Sequence, residues 1–442
     1  MSGVTEAGGP ATDREESDRR LLDRVIWRIM PLVALCMAIG TIDRSNIGFA
    51  KLSMAGSLGM SEATFGLGSS LFYIGYLLFE VPSALAAHRY GARTWFARIM
   101  VTWGLATLLL AFTASASIFY ILRFSLGMAE AGLYPGLLYY ITIWFPRSQH
   151  ARAMGFLTIG SALGNGVGAL ISGPLLDLNG ALGLEGWQWI FLVTGLMPMI
   201  VVMLVLWLLR DRPAQARFLD DAEKQRLVDL VEEDTRNLAQ SGHFASAISD
   251  RRVLAHGLAY ATILTALFGV IYWAPTLIKT FGVTGTQNGM LVALPWAIDV
   301  VLLLLLPKRF KTRAQLLWAI VVLAGFGAGV AAAAIVIENN ALRYAALLFG
   351  IPCISLTLAL YWTFPVRIFR GAHSAAAIGT ISMLGNFGGL VAQNAMPAVA
   401  KAGGGASAAL WVPCVCLVAI LAGALVVLTR PTAGQGVRAR SV

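Results

Sequence analysis

Twelve apolar stretches run the length of the chain, broken by charged or Gly/Pro-rich gaps. They lie near 28–49, 65–87, 95–113, 117–143, 152–176, 187–209, 253–279, 287–306, 314–337, 342–366, 374–399 and 407–429. A helix rises about 1.5 Å per residue, so about twenty apolar residues cross the ~30 Å hydrocarbon core of a bilayer. The pattern predicts an all-α membrane protein of twelve transmembrane helices.

One long polar insert interrupts the series, at 210–252. Within it, Asp220 to Asp234 has the pattern of an amphipathic helix, with Asp220 and Glu223 spaced as a capping box. The insert divides the spans six and six. The halves echo each other: LGNGVG at 163–168 and LGNFGG at 384–389 each follow a Phe-Pro pair, Phe145-Pro146 and Phe364-Pro365. The expected organisation is a tail (1–27), a six-helix bundle (28–209), a central loop (210–252), a second six-helix bundle (253–429) and a tail (430–442). Duplicated bundles of this kind are common among secondary transporters.

Composition removes the alternatives. Of 442 residues, 57% are apolar and 13% charged, and the mean hydropathy is +0.72. A soluble fold of this size has too little interior for that much apolar surface. The net charge of +10 would suggest nucleic acid in a soluble protein. Here it reads as the cationic bias of cytoplasmic loops. With both termini cytoplasmic, 27 of the 33 Lys and Arg fall on the inner side. Four fall in outer loops: Lys51, Lys279, Arg343 and Lys401. Cys36, Cys353, Cys414 and Cys416 all lie in apolar stretches and form neither a disulfide framework nor a metal site. The N-terminus has no signal-peptide pattern, and no cofactor or nucleotide-binding loop is expected.

Charges inside the apolar spans carry the chemistry. Asp43, Arg44, Glu80, Arg123, Glu130 and Asp299 all fall there. Each costs about 2.5–3.5 kcal/mol at a helix centre on the insertion scale, so each must face the interior. By helical rise, Asp43, Arg44 and Arg123 share a depth roughly 10 Å below the outer surface, so an Asp43–Arg123 pairing is open. Glu130 follows Arg123 by two turns on the same face. Such a ladder of acid and base suits proton coupling, because a buried carboxyl is ionised beside a cation and neutral away from one. Arg44 and Arg123 suit an anion, since a guanidinium grips a carboxylate with two parallel bonds. The plainer alternative is an ion-pair set joining the first and fourth helices. Glu80 reads as a structural partner of Arg89 or Arg93. Asn165 and Asn386 lie in Gly-rich helix stretches that fit either close helix packing or a ligand contact, Asn386 being the better ligand candidate. Asp299 is a chain-specific acid, either a substrate or proton contact or a satisfied polar residue.

Seven motifs now point to one family: TIDRSN (41–46), GYLLFEVP (75–82), RFSLGMAEAGLYPG (123–136), GWQWIF (186–191), YWAPTLIK (272–279), YWTFP (361–365) and LGNFGG (384–389). The chain resembles the anion:cation symporters of the major facilitator superfamily over essentially its whole length. The resemblance implies proton-driven uptake of a small organic anion: a sugar acid, a tartrate-like diacid or an aromatic acid. It implies Asp43 and Glu130 as proton-linked acids, Arg44 as the carboxylate-binding Arg and Arg123 as its partner on the fourth helix. Tyr76 and Trp362 match cavity-lining positions. Ser382 stands where relatives often carry Asn, four residues before Asn386. HRYGAR (88–93) has His88 in place of the usual acid, and PKRFKTR (307–313) lacks both the acid and the glycine of its counterpart, which implies a weaker inner gate. Thr41 stands where many relatives have Tyr.

The partners so implied are a small organic anion, protons and the bilayer of the cytoplasmic membrane, with no nucleic acid and a monomer as the working unit. The competing reading is a proton antiporter exporting a drug or an acidic metabolite; the Gly-rich GNGVGALISGPLL stretch favours it, although Pro174 comes late for that pattern. A non-transporting membrane sensor is a third, and nothing in the central loop reads as an output domain.

Overall fold

The computed structural model describes residues 10–236, 250–310, 312–337, 339–369 and 374–429. The second tail, the first residues of the N-terminal tail, part of the central loop, Lys311 and Arg370 lie outside the described residues. Among the described residues the ordered elements are helices, without strands.

The first half contains α1 (Pro10–Ser57), α2 (Glu62–Tyr90), α3 (Ala92–Leu110), α4 (Ala116–Glu130), α5 (Leu133–Trp144), α6 (Arg147–Asp177) and α7 (Gly186–Leu208). After α8 (Asp221–Arg236) come α9 (Arg251–Lys279), α10 (Gly285–Leu305), α11 (Arg313–Val336), α12 (Asn340–Tyr361), α13 (Thr363–Ile368), α14 (Ser374–Ala402) and α15 (Trp411–Thr429). Ten of the helical segments are long and apolar enough to span a bilayer, with α4–α5 and α12–α13 each acting as one segment. The other two of the expected twelve are α3 and α14. Arg93 and Arg98 dilute the apolar content of α3, and Thr380, Ser382, Asn386, Gln393 and Asn394 that of α14. Both are packed into the bundle, α3 against α4 and α7 and α14 along α9 and α2.

The packing carries the repeat that the motifs hinted at. In the first half α1 pairs with α6, α2 with α4 and α3 with α7; in the second α9 pairs with α14, α10 with α12 and α11 with α15. These are the same span pairs in the same order. The repeated Gly-rich motif does the same job twice. A Cβ built at Gly164 would stand 2.5 Å from Ala38 O, and one at Gly388 2.5 Å from Ala261 O. Side-chain-free positions let the fifth and eleventh spans lie against the first span of their own half, the small-residue packing expected between helices in lipid.

Helix α1 begins well before its apolar run, whereas a tail was expected up to residue 27. The stretch from Arg14 holds charges of both signs and is fastened to its neighbours. Arg226 binds Asp18 through Nε and Nη2 at 2.8 and 2.6 Å, Arg24 binds Glu223 at 2.6 Å, and Arg152 pairs with Asp23. The capping box of α8 is present, with Glu223 N donating to Asp220 Oδ1 at 2.8 Å and Asp220 N to Glu223 Oε2 at 3.2 Å.

The halves close on each other through their outer ends. A Cβ at Gly48 would stand 2.8 Å from Tyr272 O, and one at Gly173 2.5 Å from Gly285 O. Asp177, the last residue of α6, caps the start of α10: Gly285 N donates to Oδ1 at 2.8 Å, and Thr286 N and Oγ1 each donate to Oδ2 at 2.7 Å. A carboxylate there satisfies orphan N–H groups and opposes the positive helix end. Asp177→Ala is expected to weaken this outer closure by about 1 kcal/mol, a roughly fivefold shift in the population ratio. Spin labels at Leu182 and Lys279, on opposite halves, should then report a larger share of long distances. An unchanged distribution would remove Asp177 from the closure.

Candidate functional site

The site is assembled at the break in the fourth span. Helix α4 ends at Glu130, where Ala131 turns to an extended ψ of 135° and Gly132 takes a φ of +89°. That left-handed turn needs glycine, and Gly132 is also pressed against Ser83 Oγ. The AEAGLYPG sequence thus places Glu130 at the C-terminal, negative end of a helix, where a carboxylate is disfavoured by the dipole. Arg44 offsets this. Its Nε donates to Glu130 Oε1 at 2.6 Å, with the Glu130 side chain 1% exposed and that of Arg44 19%. The guanidinium also lies 4.8 Å from the centroid of the Tyr76 ring and 5.6 Å from that of Phe72. Aromatic faces attract a cation and hold its plane in place.

Asp43 is one residue from Arg44 but points elsewhere. Its Oδ1 accepts from Thr107 Oγ1 at 2.8 Å and Asn46 Nδ2 at 3.3 Å, while Asn46 also donates to Thr194 Oγ1 at 3.0 Å. Its Oδ2 is sealed and without a partner. Arg123 is 2% exposed; its Nη2 reaches Ser69 O at 3.3 Å, its guanidinium lies 5.1 Å from the centroid of the Phe72 ring, and its Nε has no partner. The Asp43–Arg123 pairing that depth allowed is therefore not made: among the described residues the ladder's one ion pair is Arg44–Glu130. Asp43 faces α3 and α7, Arg123 faces α2, and equal depth does not bring them into contact.

In the second half, Trp362 sits at the kink between α12 and α13, half-buried and edge-on to Tyr260 with ring centroids 4.9 Å apart. Ser382 is half-buried one turn from Asn386 on α14. Asn386 Nδ2 lies 3.5 Å from Glu80 Oε2, linking the two halves. This corrects the reading of Glu80 as a partner of Arg89 or Arg93. Arg93 is occupied by Leu206 O through its guanidinium and by Asp211 through its backbone N–H, and Arg89 lies over Tyr90.

Two further candidates stand apart from this group. Asp299 is fully buried in α10, and neither carboxylate oxygen has a well-formed hydrogen bond. Asn165 donates within its own helix to Ser161 O at 3.2 Å, so the interhelical hydrogen bond weighed for it is absent.

Sequence reasoning missed Lys51. Expected in an outer loop, it lies inside α1, 3% exposed, 3.7 Å from the Trp273 ring centroid and 2.6 Å from Glu62 Oε2. The apolar neighbours in FAKLSM were the available signal. Thr107 and Thr194 were also missed, since a threonine in an apolar run does not announce what it binds.

Comparison with known proteins shows which sequences and folds the chain is similar to. The family profile described as Major Facilitator Superfamily matches residues 33–393. A protein of Agrobacterium vitis whose name proposes a tartrate transporter is 36% identical over 378 residues, spanning 85% of this chain and 84% of its own length. A quinolone resistance transporter of Acinetobacter baumannii is 34% identical over 383 residues, spanning 85% and 87%. Among solved structures, a bacterial homologue of the human lysosomal transporter Spinster aligns with a TM-score of 0.72 at 17% identity, over 97% of this chain and 100% of that one.

Proposed function

The chain belongs to the major facilitator superfamily, and from that premise we propose that it takes up a small organic anion together with protons across the cytoplasmic membrane. The observation that carries this reading is the 2.6 Å bond between Arg44 and Glu130. Arg44 is the partly exposed member of that pair and Glu130 the sealed one. An incoming carboxylate competes with Glu130 for the same guanidinium. Once displaced, Glu130 stays ionised only at the expense of a buried, unpaired charge, so a proton binds there instead. Substrate and proton thereby favour each other's binding through one shared cation.

The remaining residues extend this scheme. Arg123, held by a single carbonyl, is the second cation for the substrate anion. Asp43, supported by neutral donors alone, is the second proton carrier. Tyr76, Trp362, Ser382 and Asn386 line the path of the organic part. The membrane potential explains why protons are needed. A monoanion entering an inside-negative cell is opposed by about 2.3 kcal/mol per 100 mV; one proton cancels that and a second makes entry favourable. The bundles at 28–209 and 253–429 are the rocking units, with the outer closure released in the alternate state.

The relative from Agrobacterium vitis supports a carboxylate such as a tartrate-like diacid, with sugar acids and aromatic acids as the neighbouring chemistries. The test is uptake of labelled carboxylates into vesicles with and without an imposed pH gradient, acidic outside. At least one acid should accumulate only with the gradient; gradient-independent uptake of every acid would sink proton coupling. The quinolone resistance relative favours a second reading, export by antiport. Net proton-driven efflux from loaded vesicles, without uptake, would select it.

A further inference from the structure

A second charge, opposite in sign to Arg44, is buried beside the ring that Arg44 covers. Glu80 lies on α2 one turn beyond Tyr76, so the two share a face, and Tyr76 is the ring beneath the Arg44 guanidinium. Glu80 is 7% exposed and, among the described residues, has no ion pair. Its one hydrogen bond comes from Asn386 Nδ2, at 3.5 Å. That is long, since N–H···O bonds cluster near 2.9–3.0 Å. A buried carboxylate so weakly bonded, one helical turn from the ring that the Arg44 guanidinium covers, is an acceptor able to take a further donor.

We propose that Glu80 and Asn386 form a donor-recognising subsite, so that the transported acid must carry a hydrogen-bond donor on its carbon chain, a hydroxyl or an ammonium, at the end away from the carboxylate held by Arg44. The proposal rests on the reading that Arg44 binds the substrate carboxylate. The geometry suits a hydroxyl well. Its O–H donates to Glu80 Oε2 while its oxygen accepts from Asn386 Nδ2, and the 3.5 Å contact widens to admit it. Glu80 belongs to the first half and Asn386 to the second, so a bridging hydroxyl also ties the halves together around the substrate. A purely apolar chain would leave Glu80 without its donor, and a site built to meet a hydroxyl discriminates strongly against the analogue without one. Sequence alone marked Asn386 as a ligand candidate but assigned Glu80 to the loop arginines; only the contact across the halves joins them.

The experiment compares matched acids on the full-length purified protein by calorimetric titration: tartrate against succinate, gluconate against hexanoate, and aspartate to separate ammonium from hydroxyl. Wild-type protein should bind the hydroxylated member roughly 10- to 100-fold more tightly than its plain partner. In Glu80→Leu the ratio should fall to within about threefold, because the hydroxylated acid loses its acceptor and the plain acid no longer buries a carboxylate without a donor. Glu80→Gln keeps the acceptor and the fold, and should retain an intermediate ratio. A preference for aspartate over tartrate assigns the subsite to ammonium donors. Equal binding of hydroxylated and plain acids by the wild type, or a full ratio in Glu80→Leu, would overturn the proposal. Failure of the underlying reading looks different: the plain acids would then bind no less well after loss of Arg44.

Discussion

Replacing Arg44 with alanine should lower carboxylate affinity by about 30-fold or more, because truncating one member of a buried, hydrogen-bonded charge pair costs about 2–5 kcal/mol. Two losses combine. The substrate forfeits its cation, and Glu130, which Arg44 holds at 2.6 Å, is left at the negative end of α4 with no ion-pair partner. Glu130 then takes a proton or destabilises the bundle. The double variant Arg44→Ala with Glu130→Gln separates these effects. It should recover the thermal stability lost in the single variant while binding the acid no better. Arg44→Lys should fall between the extremes, since an ammonium supplies charge without the planar fork that grips a carboxylate. Titration calorimetry on the purified protein reads all three. Unchanged affinity in the alanine variant would move the anion site elsewhere.

Glu130→Gln should separate transport from its driving force. Each pH unit of gradient stores about 1.4 kcal/mol per proton, so the wild type should accumulate its acid roughly tenfold per unit for each proton carried. Glutamine at this position is permanently neutral, and it leaves Arg44 free for the substrate. Accumulation driven by an acidic exterior should therefore lose at least the roughly tenfold per pH unit that the Glu130 proton contributes, while exchange of labelled for unlabelled acid across the vesicle continues. The sign of the effect matters. Raising external acidity should speed wild-type uptake and leave exchange by the variant unmoved. Full gradient-driven accumulation in Glu130→Gln would take the proton away from this residue. A variant that loses exchange as well would point to a packing role for the Arg44–Glu130 pair.

The two variants probe opposite ends of one bond, and that bond illustrates how far the residues alone reach. Asp43, Arg44, Arg123 and Glu130 stand out in the sequence because ionised groups at lipid depth are expensive, whatever they touch. Their partners are another matter. Helical rise puts Asp43, Arg44 and Arg123 at similar depth and Glu130 two turns further on, so that arithmetic favours pairing Asp43 with Arg123 over the pairing observed. The choice falls to Thr107 and Asn46, which draw Asp43 toward α3 and α7, and to the break after Glu130, which swings that carboxylate under Arg44. Glu80 was misassigned for the same reason. Arg89 and Arg93 are near it in sequence, whereas Asn386 is 306 residues away and meets it in the folded chain.

What the sequence by itself determined was the membrane-spanning all-helical class, the six-and-six division and the inner side of the bilayer, together with the short roster of charged residues worth asking about. These follow from sums over local stretches: transfer free energy per residue, helical rise, and the bias of cations toward one face. The tertiary structure alone decided which acid holds which base, that Lys51 is buried against Trp273, that Asp177 caps α10, and that Glu80 faces Asn386 across the two halves. Those outcomes depend on the rotation and tilt of packed helices. A difference of a few ångströms or one hundred degrees about a helix axis exchanges one partner for another, and no property of a single segment records it.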